Sequence, residues 1–276
     1  MRLLTVSMVL LCLACGARQD NSPPIRADLP AAIAVTDPAR LNGTWAVVVE
    51  LATILTLPVL GDRNAGSQQL WLHTRTWDAA ANVYQERAQW CAIDVWEVEG
   101  NKLSIPDTTL QKHAPMVFTS TLDGPRGFFR IPTLLDVWGL RNLPDPANTP
   151  LPTRHDFTQS PQQDWIFDED EDGKLATTGN TTGITGGEVY QVVRGLYTFE
   201  GSVVTPDRIQ GLVEMRRYEQ NVLDATNSLA KGEGIIRQDP DQRLTWFDMV
   251  RLPEGSLCPD VLAAQRNGSL ATRRPF

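Results

Sequence analysis

Residues 68–78, QQLWLHTRTWD, and residues 84–96, YQERAQWCAIDVW, sort their side chains onto two faces when read with a period of two. That is the period of a strand, whose successive side chains leave opposite sides of a sheet. On the first stretch Trp71, His73, Arg75 and Trp77 share a side. On the second, Tyr84, Trp90 and Trp96 share one with Glu86 and Asp94. Such a face suits a lined internal space. It suits equally a surface where indole rings pack and polar ends reach water.

The same pattern extends in both directions. Strands are predicted at 43–50 with a continuation to 57, then at 68–77, 84–97, 102–105, 116–122, 128–131, 187–199, 209–222 and 244–252. Turn residues separate them, among them Asp78, Gly100-Asn101, Asp123-Gly124 and Pro206-Asp207. Only 135–140 and 222–229 suggest short helices. Many strands joined by short connections predict an all-β fold, a single antiparallel and closed β-barrel over 39–262. Closure removes exposed strand edges. Residues 142–164 hold five prolines and form the one long loop, either a lid over a barrel mouth or a surface segment.

At the N-terminus, Arg2 precedes an apolar run from Leu3 to Ala14. That is short of the about 20 residues a membrane span needs and fits an export signal. The run ends in Leu13-Ala14-Cys15-Gly16, which resembles the lipobox of bacterial lipoproteins, with Cys12 standing where an aliphatic is usual. The resemblance implies cleavage after residue 14 and acylation of Cys15. It also implies a tether over 15–38, and an address in the bacterial cell envelope, the outer membrane in particular. The membrane is then a partner through acyl chains. The 14 residues at 263–276 are read as a tail. Removing 1–14 leaves Cys91 and Cys258 besides Cys15, and in an exported chain these two are expected to form a disulfide. The net charge is −8, and there is no lysine- or arginine-rich run, only a short Arg273-Arg274 pair near the end, so nucleic acid is not an expected partner.

Residues 168–174, DEDEDGK, place carboxylates at positions 1, 3 and 5 (Asp168, Asp170, Asp172) and glycine at position 6. This is the opening of an EF-hand-type calcium loop, in which alternate residues turn inward and the carbonyl of position 7, Lys174, also serves. Position 12 is Gly179 instead of glutamate. A structural Ca2+ of weak affinity, on the order of 10⁻⁴–10⁻³ M, is therefore the expected cofactor. A solvated acidic turn is the other reading.

Leu41-Asn42-Gly43-Thr44-Trp45 resembles the G-x-W signature of lipocalins and other calycins. In that family the tryptophan plugs the closed end of the barrel and a basic residue near the last strand packs across it. The resemblance implies this place for Arg251. Nucleophile elbows, phosphate loops and zinc spacings are absent, and His73, His113 and His155 lie far apart. Glu86 and Asp94 stand about 26 Å apart along a strand, too far for a pair of glycosidase carboxylates. The expected function is binding of a small or amphipathic ligand inside the barrel, lined by Trp71, His73, Trp77, Trp90 and Trp96. A packed structural lipoprotein is the alternative, and an envelope hydrolase a third.

Overall fold

A computed structural model describes residues 29–57, 61–154, 162–231 and 234–273. Cys15 and His155 lie outside them. The strands are β1 (Gly43–Leu57), β2 (Gly61–Asp78), β3 (Val83–Val95), β4 (Leu103–Ser104), β5 (Met116–Asp123), β6 (Phe128–Trp138), β7 (Thr177–Thr181), β8 (Gly187–Thr205), β9 (Arg208–Ala225), β10 (Ile235–Gln238) and β11 (Trp246–Leu252). Two short helices, α1 (Asp107–Lys112) and α2 (Cys258–Arg266), complete them.

Eight strands close a ring. β1, β2, β3, β5, β6, β8, β9 and β11 follow one another around it in chain order, each antiparallel to the next, and β11 returns to β1. Alternation around such a meander leaves tight hairpins at one end, after β2, β5 and β8. The long connections gather at the other. There, β4 and β7 pair as a flap hung on β8, and β10 takes the edge of β1 at Thr53–Thr56, beyond where β11 leaves it.

β1 is buried on both faces through Ala52, which explains its unbroken run AVVVELA. Trp45, Val47, Val49 and Leu51 face the interior with Phe129, Phe199 and Phe247. Ala46 and Val48 face outward and are covered by Val261 and Ala264 of α2. The Cys91–Cys258 disulfide, with Cα atoms 5.1 Å apart, fastens that helix to β3. Pro259 and Asp260 start it, the Asp260 carboxylate accepting from the Leu257 N–H at 2.8 Å.

Three expectations need correction. The segments 135–140 and 222–229 are not helices: β6 runs to Trp138 and β9 to Ala225, and only Ser228–Lys231 makes a 3-10 turn. A bulge between Ile131 and Leu134, at Pro132, breaks the alternation of β6 and disguised its second half. Asp94 does not share a face with Glu86. Cys91 is an extra residue opposite the Leu70/Trp71 step, so the pattern of β3 flips there. Asp94 then points to solvent, where Lys102 Nζ bonds it at 2.7 Å. Finally, the described part of the Pro-rich loop is no lid. It lies along the outer face of β8 and β9, where Leu143 and Leu151 pack on Val192 and Leu223. The Arg194 guanidinium donates to the Pro146 and Thr149 carbonyls, at 3.1 and 2.6 Å.

The N-terminal segment joins at the hairpin end. Ile33 N–H donates to Val203 O and Val35 N–H to Gly124 O, both at 2.8 Å. Across that end the Trp45 ring is covered by the Arg251 guanidinium at 4.6 Å. Arg251 is held by Asn42 O and Arg40 O, each at 2.5 Å, and by the Asp207 carboxylate at 2.7 Å.

Candidate ligand cavity and acidic loop

The interior is built in layers. Along β2 and β3 the inward pairs run Trp77–Tyr84, Arg75–Glu86, His73–Ala88, Trp71–Trp90, Gln69–Ile93 and Ser67–Val95. The first four layers are filled. Trp71 meets Trp90 edge-on at 5.2 Å and stacks on His73 at 5.7 Å. The Arg75 guanidinium lies over the rings of Phe129, Trp45 and Tyr84, 4.8–5.5 Å from their centres. It reaches the Glu86 carboxylate at 3.3 Å. Burial opposes charge on Glu86, but Arg75 beside it holds the carboxyl below its usual range. Burial pushes His73 down, so that it packs as a neutral ring.

Above the Trp71–Trp90 layer the ring opens into a cavity of about 440 Å³, within the roughly 300–1,000 Å³ typical of small-molecule sites. Leu51, Gln69, Ile93 and Met215 line it from the ring strands, Leu103 and Thr181 from the flap, and Ile236 from β10. Leu229, exposed to solvent, lines it from the 3-10 turn. Among the described residues Lys102 is the one charged lining residue, and its ammonium is already bonded to Asp94. Of the five side chains expected to line a ligand space, Trp96 alone borders this cavity. Trp71, His73 and Trp90 belong to the filled layers, and Trp77 packs on Tyr84 toward the hairpin end. Trp96 follows β3 and rests on Gly66, whose carbonyl accepts from its N–H at 2.9 Å. A Cβ at residue 66 would stand 2.5 Å from the indole and 2.2 Å from Leu51 O, so glycine is what admits the ring.

On the inner side of β6, where Trp138 meets Trp90 edge-on at 5.1 Å, Asp136 joins His113 after α1 and Glu169 in a buried ionic cluster that sequence spacing did not reveal. His113 Nδ1 lies 2.8 Å from Glu169 and Nε2 lies 3.0 Å from Asp136, while its ring stacks on Trp138 at 4.2 Å. Desolvation opposes the charge, yet the two carboxylates win and raise His113 to about 9. Trp138 Nε1 donates to Asp136 at 2.6 Å, and Thr177 Oγ1 and Gly139 N–H donate to Glu169, each at 2.7 Å.

Glu169 interleaves the acidic loop. Asp168, Asp170 and Asp172 turn the other way, and one carboxylate oxygen from each lies within 4.8 Å of the others, so the three could hold a metal ion. Asp170 is the telling member. Its Oδ2 accepts from Thr109 Oγ1 at 2.9 Å and from Thr178 N–H at 3.0 Å, whereas its buried Oδ1 has no hydrogen-bond partner among the described residues. Burial, with Asp172 nearby, pushes the Asp170 carboxyl up. A cation would satisfy that oxygen and reverse that shift. Lys174 enters the loop through its side chain, with Nζ bonded to Glu188 at 2.6 Å and 3.7 Å from Asp172. Glu188 is thereby already paired. Gly179, at position 12, lies within β7 opposite Val189, so a strand leaves the loop where an EF-hand has a helix.

No family model, curated protein or solved structure matches the chain.

Proposed function

We propose that this is an envelope lipoprotein of calycin-like build that binds a small apolar or amphipathic molecule in the open end of its ring. The cavity above the Trp71–Trp90 layer carries the reading, because its wall is mainly apolar and, among the described residues, holds no unpaired charge. Burial of an alkyl chain there would contribute about 0.8 kcal/mol per CH₂ group. The calycin likeness is supported by the meander order of the ring, the Trp45–Arg251 stack and a helix packed on the outer wall. The lipid anchor at Cys15 rests on the lipobox. A polarity-sensitive fluorescent probe carrying an alkyl chain tests the cavity. Its emission should rise on titration with the protein and be lost in Ile93→Trp, which fills the cavity from the floor. Equal emission with both proteins would refute the site.

The acidic loop is assigned to calcium on the alternate carboxylates and on the unpaired Asp170 Oδ1. Calcium at a hundred times its dissociation constant should stabilise by about 2.7 kcal/mol. That should raise the melting temperature by several degrees. Asp170→Asn should abolish the rise without lowering the melting temperature in chelator. An unchanged melting curve of the parent protein in calcium would remove this assignment.

A further inference from the structure

Resting on the cavity reading above, we infer that the ligand is a long-chain molecule with an uncharged head group that both donates and accepts hydrogen bonds, as a primary carboxamide does. Three glutamines stand on the cavity wall. Tyr218 Oη donates to Gln220 Oε1 at 3.1 Å, and Gln220 Nε2 donates to Gln191 Oε1 at 2.7 Å. In this arrangement Gln191 Nε2 is left as a donor with no hydrogen-bond partner among the described residues. Across the ring, Gln69 Nε2 donates to Ser67 Oγ at 3.2 Å, which leaves Gln69 Oε1 as an acceptor in the same state. Both side chains are more than nine-tenths buried, and both line the cavity.

A buried amide that loses its water without gaining a partner is costly. A ligand offering an acceptor to Gln191 and a donor to Gln69 repairs both losses. A hydrocarbon repairs neither, and an ester offers only acceptors. A carboxylate offers acceptors too, but brings a charge into a cavity whose only cation among the described residues, Lys102, is already engaged by Asp94. The site therefore selects by head group, while the aliphatic wall takes the tail.

The test is competitive displacement of a bound alkyl probe from the full-length protein by dodecanamide, methyl dodecanoate and dodecanoate at pH 8. The amide should bind at least about tenfold tighter than the other two, the discrimination expected when a buried polar group goes unpaired. Gln191→Leu and Gln69→Leu should each erase that preference while still binding the methyl ester, which shows that the cavity is intact. Equal binding of the three chains, or an amide preference that survives both substitutions, would overturn the inference and leave chain binding standing. Failure of all three to displace the probe, or of the probe to bind, would overturn the cavity reading and the inference with it.

Discussion

His113 carries a buried positive charge held by two carboxylates. Its imidazolium is 3% exposed and sits between Asp136 and Glu169, so its proton belongs to the folded state. With a folded pKa of about 9 against an ordinary value of about 6.5, the linkage has a definite sign. The contribution is fully present below about pH 6.5 and is lost as the pH rises through about 9. Urea denaturation across that window should show the parent protein losing about 3 kcal/mol, while His113→Gln, weaker throughout, should give a flatter profile. A parent profile as flat as the variant's would contradict the charged cluster. Neither the histidine nor its partners were legible beforehand. They lie 23 and 56 residues apart in the chain, and only the fold brings them together. The acidic loop differs, because its spacing is local: the alternate carboxylates converge as the sequence pattern suggests. That Lys174 would reach Glu188 instead could not be read from it.

Among the elements, the long strands were legible because their period is set by the backbone, whereas the short β7 and β10 and the first part of β2 were missed. The bulges were not legible, since an extra residue such as Cys91 looks like any other until its partner strand is known. That single residue moved Asp94 outside and left Trp96, beyond the strand, as the tryptophan that meets the cavity. α2 escaped notice because its nine residues carry only a weak apolar stripe, Val261 and Ala264 being its buried positions. The bond that holds it was legible from cysteine arithmetic. Cys91–Cys258 spans 167 residues, and closing such a loop should stabilise by roughly 5 kcal/mol in the chain-entropy account. Cys91→Ser/Cys258→Ser should therefore melt well below the parent protein. It should also bind more of a hydrophobic dye, as α2 lifts from Ala46 and Val48. Identical melting of the two proteins would show that the disulfide adds nothing to the helix's attachment.

At the scale of the whole molecule, one ring has a filled end and a hollow end. The hairpin end is filled with aromatic rings and a compensated Arg75–Glu86 pair, and the N-terminal segment and Arg251 close it. The other end gathers every long connection, and these build the flap and edges around the cavity. A packed core and an open cavity coexist as two halves of one interior. The indole N–H signals of the eight tryptophans report on both halves at once in a ¹H–¹⁵N correlation spectrum recorded while a twelve-carbon amide is titrated in. Binding in the hollow end should give a saturable shift of the Trp96 indole, with Trp45 and Trp77 unmoved. A titration that leaves Trp96 in place, or that shifts Trp45 and Trp77 as much, would contradict it.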